Sequence, residues 1–288
     1  KPIVSFQKKD STFKIMENKD KEKIIVIDFG SQYTHLIANK IRRLKVFSEI
    51  KNPRISLKEI SRAKGIILSG SPYSVYEKDA PKINPKIFQL GIPILGLCYG
   101  HQLMAEDLGG RVQSGRVREF GRAVLKILSS NLLFKGLKKR EIVWMSHGDK
   151  VSETPEGFKV LASTRDCKIS AMGDLKRNFF GIQFHPEVTH TPSGLKILEN
   201  FVNLCHCQKN WTISNFIQKI QKEIKKKVGD RKVFLLASGG VDSTVTLALL
   251  NKVLGPEKVF AFYIDSGFGR RHEVKYIKKA LTKLGFNN

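Results

Sequence analysis

The sequence predicts an α/β protein in two domains, the first with a mixed central sheet flanked by helices and the second opening as a parallel α/β unit. Three observations carry this. Short runs of Ile, Val, Leu and Phe alternate with helical segments, the pattern of strands covered on both faces. In the middle third, strands separated by Gly, Pro and Asp follow one another without helices between them. After residue 210 an amphipathic, Lys-rich helix starts a new strand–loop–helix series. With 41% apolar residues in 288, there is material for one large core or two ordinary ones.

In chain order, residues 1–23 are polar and charged without an apolar period and read as a loose leader. The first domain is expected over 24–207 and the second over 208–288. Lys23 to Ile27 is a strand running into Asp28-Phe29-Gly30-Ser31-Gln32-Tyr33 and a helix through Arg43. Gly65 to Leu68 is a strand closing on Ser69-Gly70-Ser71-Pro72. Ile92 to Leu97 is another, leading into Cys98 and a helix from Gly100 to Leu108. Ala123 to Ile127, Glu141 to Met145, Phe158 to Ala162 and Phe179 to Phe184 are short strands, and Ser193 to Leu204 is a helix. Past the break at Cys205 to Asn210, Ile213, Phe216, Ile217, Ile220, Ile224 and Val228 recur at helical spacing opposite Lys219, Lys222, Lys225 and Lys226. A strand from Lys232 to Ala237, a loop, a helix to Val253 and a strand from Lys258 to Ile264 follow, ending at Asp265.

Composition removes several function classes. The 51 Lys and Arg against 26 Asp and Glu leave +25, a footprint that fits a nucleic-acid binder. The lysines are spread along the whole chain, however, and the densest run, Lys219 to Lys232, has no interleaved aromatic residues for stacking. Anionic small substrates account for the excess as well. No apolar stretch approaches the ~20 residues of a membrane span. The N-terminal stretch lacks the apolar centre of a secretory signal, so a cytoplasmic location is expected. Cys98, Cys167, Cys205 and Cys207 form no even-spaced disulfide framework and suit a reducing compartment. Cys205-His206-Cys207 lacks the second ligand pair of a zinc site.

Gly96-Leu97-Cys98-Tyr99-Gly100 sits between a buried strand and a helix, the setting of a nucleophile elbow. Flanking glycines permit a sharp turn, and the following helix N-terminus favours a thiolate and offers N–H groups to an oxyanion. A buried structural cysteine at a strand end is the alternative reading of these five residues. His185-Pro186-Glu187 follows an apolar strand, and residues two apart on an extended segment point the same way. Glu187 can therefore orient His185 as the base for Cys98. The His147-Gly148-Asp149 turn is the second choice.

Gly96 to Gln102 together with Gln183-Phe184-His185-Pro186-Glu187-Val188 resembles the class I, triad-type glutamine amidotransferases. The resemblance implies glutamine hydrolysis, with Cys98 forming the glutamyl thioester, His185 and Glu187 completing the triad, and Gln102 contacting the bound glutamine. It implies an oxyanion hole from the N–H groups of Tyr99 and the Gly70-Ser71 turn. Where that family has Gly-Gly-Pro this chain has Gly70-Ser71-Pro72, and a positive φ at Ser71 would be strained.

In the second domain Ser238-Gly239-Gly240-Val241-Asp242-Ser243-Thr244 follows a strand and opens a helix, so its amides can cradle a polyphosphate. It lacks the Gly-Lys-Ser/Thr ending of a Walker A loop. An ordinary Gly-rich turn is the alternative. The segment resembles the pyrophosphate loop of the ATP pyrophosphatases, within the adenine nucleotide alpha hydrolase-like fold, which implies ATP as substrate. Asp242 and Asp265 are candidate Mg²⁺ partners, since hard oxygen ligands suit that ion.

The two halves joined, with Arg118 to Gly121, Trp144 to Asp149 and Asp265 to Arg270, resemble the GMP synthetase family from Ile24 to about Phe286. That resemblance implies a ligase of purine biosynthesis: glutamine supplies ammonia for ATP-dependent amination of XMP to GMP through an adenyl-XMP intermediate. It also implies a homodimer formed through a further C-terminal domain, so this chain is expected to retain the glutaminase half. Arg118 to Gly121 and Ser146 to Asp149 are expected to couple the two chemistries. The alternatives are a stand-alone glutaminase or regulatory fragment, and a basic nucleic-acid-binding protein.

Overall fold

A computed structural model describes residues 23–265, 267 and 270–283. Residues 1–22 of the expected leader, and Ser266, Phe268 and Gly269 of the Asp265 to Arg270 segment, lie outside the described residues. The chain divides between Trp211 and Thr212 into two compact units.

The first unit is built on nine strands: β1 (Lys23–Ile27), β2 (Phe47–Lys51), β3 (Gly65–Leu68), β4 (Ile94–Leu97), β5 (Arg111–Ile127), β6 (Arg140–Glu153), β7 (Lys159–Ser163), β8 (Ala171–Asp174) and β9 (Phe179–Ile182). They lie in the order β2-β1-β3-β4-β9-β8-β7-β5-β6. The first five run parallel, and β8, β7, β5 and β6 continue the sheet with antiparallel pairings. Its helices are α1 (Thr34–Arg43), α2 (Leu57–Ile60), α3 (Tyr99–Asp107) and α4 (Gly194–Leu204).

The inner parallel strands β3, β4 and β9, and β1 after Lys23, are apolar or glycine at every position because both faces are covered. Ile24, Val26, Ile67, Leu95, Leu97, Phe180 and Ile182 pack with Ile37, Ala38 and Ile41 of α1 and Ile197, Leu198, Phe201 and Val202 of α4. The alternate residues Ile25, Ile27, Ile66, Leu68, Ile94 and Phe179 face Ile60 of α2 and Tyr99, Leu103, Met104 and Ala105 of α3. The mixed sheet between helices is thus the one the sequence predicts.

Two strands are longer than their apolar patterns indicate. Ala123 to Ile127 and Glu141 to Met145 are the ends of a hairpin in which β5 has 17 residues and β6 has 14. Its far half carries Gln113, Ser114, Arg118 and Glu119, side chains with no apolar alternation, and the register shifts between Ser114 and Glu119. Strands β2 and β8 were also not legible. β2 is a polar edge strand tied by Lys23 Nζ to Glu49 at 2.6 Å, and β8 is the short segment Ala171-Met172-Gly173-Asp174.

The second unit contains α5 (Ile213–Val228), β10 (Val233–Leu236), α6 (Val241–Leu254), β11 (Val259–Phe262) and α7 (Glu273–Lys283). Thr212 Oγ1 caps α5 by accepting from Asn215 N at 3.1 Å, and Gly229 ends it at φ 58°. β10 and β11 pair in parallel. Leu247 of α6 and Val259 are fully buried, with Leu235, Leu250, Leu254, Ala261 and Leu281 packed around them.

Candidate active site

Strands β1, β3, β4 and β9 end on the same edge of the sheet, and in parallel α/β sheets that carboxyl edge is where ligands bind. The turns leaving it carry Asp28 to Tyr33, Ser69 to Pro72, Cys98 and Gln183 to Glu187. The elbow after β4 is sharp: Cys98 has φ 51° and ψ −104°, in the left-handed half of the map that side chains rarely adopt. Cys98 N donates to Ile182 O at 2.8 Å, fixing the bend to the end of β9. The flanking glycines are required by close approach. A Cβ on Gly96 would lie 2.4 Å from Gly100 O, and one on Gly100 would lie 2.3 Å from Leu68 O. Helix α3 can therefore start directly over the strands, with Cys98 at its N-terminus and the Tyr99 N–H at a position that no carbonyl within the helix can reach.

His185 and Glu187 are both buried, and His185 Nδ1 lies 2.7 Å from Glu187 Oε1. Burial would lower the His185 imidazole, but the Glu187 carboxylate and a hydrogen-bonding interaction with Cys98 outweigh it and hold the group well above its ordinary value. The segment is locked onto β6. His185 N donates to Trp144 O at 3.0 Å, Thr191 Oγ1 donates to His185 O at 2.7 Å, and Trp144 N donates to Thr191 Oγ1 at 3.0 Å. Tyr33 packs edge-on against the imidazole with ring centroids 5.3 Å apart.

Gly70 adjoins the pair: a Cβ there would lie 3.7 Å from His185 Cε1 and 3.8 Å from Cys98 Cβ. Ser71 is not among the described residues with positive φ, so the strain considered for a side chain at this position does not arise. Its hydroxyl donates to Phe29 O at 2.8 Å, tying the Gly70-Ser71 turn to the β1–α1 turn.

Gln102, on the second turn of α3, is buried, and its Nε2 donates to Asp149 O at 2.9 Å and to Gln183 Oε1 at 3.1 Å. Gln183 Nε2 donates in turn to Cys98 Sγ at 3.6 Å. Sequence reasoning gave Gln183 no role. The available signal was its spacing of two from His185; the extended run expected there ends with β9 at Ile182, and residues 183–187 bend and turn instead. His147 is differently engaged: Nδ1 lies 2.9 Å from Asp149 O and Nε2 lies 3.3 Å from Glu119 Oε2. Glu119 and His147 stand opposite each other in the β5–β6 hairpin. Ser74 and Tyr76 donate to the Asp149 carboxylate. His101 is fully buried and pushed down to about 3 by burial, so it stays neutral near pH 7.

In the second unit the Ser238 to Thr244 loop links β10 to α6. Gly239 has φ 76°, and a Cβ there would lie 2.4 Å from Ile277 Cδ1 on α7, so both backbone and packing call for glycine. Gly240 caps α6. Its carbonyl accepts from Ser243 Oγ at 3.0 Å and Thr244 Oγ1 at 2.9 Å, and Ser238 Oγ lies 3.3 Å from Ser243 Oγ. Val241 and Asp242 occupy the first turn, both exposed. Asp265 Oδ1 accepts from Gly267 N at 3.0 Å. Among the described residues no group of three or more His, Cys, Asp or Glu is placed to hold a metal ion.

Both units resemble known proteins. The model for the NAD synthase family matches residues 212–288. The chain is 49% identical over 273 residues to a glutamine-hydrolysing GMP synthase of Lactobacillus gasseri, covering 93% of this chain and 53% of that protein. It is 44% identical over 259 residues to one of Brachyspira hyodysenteriae, covering 89% and 50%. The chain thus spans about half the length of these curated relatives. Among solved structures, a candidate GMP synthase component from Thermoplasma acidophilum is 29% identical with a TM-score of 0.58, covering 70% of this chain and 98% of that one. A glutamine amidotransferase of Thermotoga maritima, 19% identical with a TM-score of 0.50, covers 92% of this chain and 96% of its own and shares the fold. The family model for class-I glutamine amidotransferases matches residues 25–205, the span that holds the whole Cys98, His185 and Glu187 arrangement, and the chain belongs to that family.

Proposed function

We propose that the first unit hydrolyses glutamine and that the chain serves the amination of XMP to GMP. The observation that carries the first part is Cys98, strained at the start of α3 and gathered at Gly70 with a buried imidazole that Glu187 holds above its ordinary value. Cys98 gives its proton to His185, and the sulfur attacks the glutamine carboxamide. N–H groups of Tyr99 and the Gly70-Ser71 turn receive the oxyanion. His185 returns the proton to the departing ammonia, leaving a glutamyl thioester, and then takes one from the water that cleaves it. Gln102 borders this site and is the side chain proposed to meet bound glutamine. Domain limits near 24–207 and 208–288 go with this reading.

The second part rests on the loop of the second unit and on the relatives. Ser238, Gly239, Gly240, Val241, Asp242, Ser243 and Thr244 fit a nucleotide polyphosphate, because a glycine-lined turn at a helix N-terminus offers amides and a favourable dipole. Asp242 and Asp265 are the carboxylates proposed to hold the Mg²⁺ that accompanies ATP, where it would neutralise phosphate charge. Splitting ammonia release from activation of the XMP oxygen as an adenylate gives each step a good leaving group. Self-association into a homodimer is proposed on the resemblance alone and is read by light scattering. Cysteines held outside disulfides fit a reducing, cytoplasmic setting.

The test is ammonia and GMP production by this chain with glutamine, Mg-ATP and XMP, beside Cys98→Ser. Ammonia that disappears in Cys98→Ser supports the glutaminase, and GMP supports the full reaction. Absence of ammonia from the parental chain refutes the first part.

A further inference from the structure

The orientation of the Gln183 amide is fixed by a chain that starts at a backbone carbonyl. Asp149 O can only accept hydrogen bonds, so Gln102, 2.9 Å away, must present its NH₂ group to it. The second hydrogen of the same NH₂ meets Gln183 at 3.1 Å, which requires the oxygen end of that amide. Only the NH₂ end of Gln183 is then left for Cys98 Sγ, 3.6 Å away. Turning the Gln183 amide over would set NH₂ against NH₂ where both side chains are buried, and an unsatisfied buried donor is costly. Asp149 is itself held through its carboxylate by Ser74 and Tyr76.

We propose that Gln183 is a catalytic residue of the glutaminase site, a preorganised donor to the sulfur of Cys98, and that Gln102 is the positioning residue that aims it. The inference rests on the glutaminase reading. When the S–H bond of Cys98 breaks and the proton passes to the His185 imidazole, the electron pair stays on sulfur, where the Gln183 N–H meets it. A hydrogen bond to an ionised acceptor is about twice as strong as a neutral one, so the donor favours the separated charges over the neutral pair. The same bond assists departure of the sulfur when water cleaves the thioester.

The experiment is the rate of Cys98 alkylation by iodoacetamide at pH 6 in the whole chain without glutamine, read by peptide mass spectrometry with Cys98→Ser as blank. Gln183→Met, which keeps the volume and removes the donor, should be roughly threefold slower. About tenfold less thiolate is offset by about threefold higher reactivity of each thiolate once the bond is gone. Gln183→Glu, which sets a carboxylate against the sulfur, should be slower still. Gln102→Met, which frees the Gln183 amide to turn, should fall between the parent and Gln183→Met. In Gln183→Met, kcat for glutamine should fall while KM stays within about twofold. Parental alkylation rates in both Gln183 variants, at parental unfolding midpoints, would overturn the proposal. If those variants do not fold, a parental rate in Gln102→Met overturns it. Because iodoacetamide reports on the thiol alone, slowing in the stated order without any ammonia release would leave the donor role standing and sink the glutaminase reading.

Discussion

Glu187→Gln exchanges one carboxylate oxygen for NH₂ at nearly constant volume, and its effect can be worked from the site. Glu187 Oε1 and His185 Nδ1 are 2.7 Å apart and both side chains are buried. With charge centres about 4 Å apart and an effective dielectric of about 20, the carboxylate stabilises the imidazolium by roughly 4 kcal/mol. An amide oxygen that still accepts from Nδ1 restores about 1 kcal/mol. The remaining ~3 kcal/mol corresponds to roughly a hundredfold loss of kcat/KM for glutamine. Above the folded-state titration of His185 the fold should lose little, because Glu187 Oε2 is buried without a hydrogen-bond partner and the neutral pair avoids an isolated buried charge. A pH signature accompanies the loss. Since His185 is held above its ordinary value, its contribution to stability is full below about pH 6.5 and is lost as pH rises through the folded-state value. The variant, lacking that rise, should show a flatter melting midpoint over the same range. Steady-state ammonia release and calorimetry between pH 6 and 9 measure both effects. A kcat/KM within threefold of the parent at pH 7, with a parental melting midpoint, would refute the electrostatic role assigned to Glu187.

Three further perturbations follow from local geometry. Asp107 ends α3, where the helix dipole disfavours negative charge, and burial pushes its carboxyl up to about 6. Between about 3.8 and 6 the unfolded chain ionises first. Asp107→Asn should therefore stabilise the protein at pH 8 by on the order of 1 kcal/mol, after discounting for partial exposure, and leave it unchanged at pH 3.5; an equal shift at both pH values rejects the cause. Ser71→Ala removes the 2.8 Å bond to Phe29 O and should lower glutaminase kcat by roughly fivefold, about 1 kcal/mol, with no effect showing that the turn is held otherwise. Gly239→Ala imposes a side chain at φ 76° against Ile277, and the cost of about 1–2 kcal/mol should weaken Mg-ATP binding roughly tenfold by calorimetry; unchanged affinity would show that the loop does not hold the phosphates.

The parts of the site that are legible in the sequence share a physical origin. Gly96, Cys98 and Gly100 stand out because a side chain in either flanking place collides with backbone, so the sequence there has little freedom. His185 and Glu187 are legible because they stand two residues apart, and they do meet, but through a turn at Pro186 and Glu187 rather than the extended run that the spacing suggested. Gln102 and Asp149 are different. Their bond joins α3 to β6 across 47 residues, and no local period announces it. The β5–β6 hairpin escaped for a related reason, since its outer half is partly solvated and free to carry Arg, Gln and Glu without alternation.

Local sequence by itself determined the alternation of buried strands and helices, the tight elbow at Cys98, the paired His185 and Glu187, and the glycine-lined loop from Ser238 to Thr244. Each is dictated within a few residues by sterics, by burial on two faces or by nearness in the chain. Only the tertiary structure decided that four strand ends meet on one edge, that Ser71 escapes strain, and that a backbone carbonyl on β6 sets which end of Gln183 faces the thiol. Those outcomes depend on hydrogen bonds and packing between segments far apart in the chain, and their polarity is settled only when every buried donor must find an acceptor.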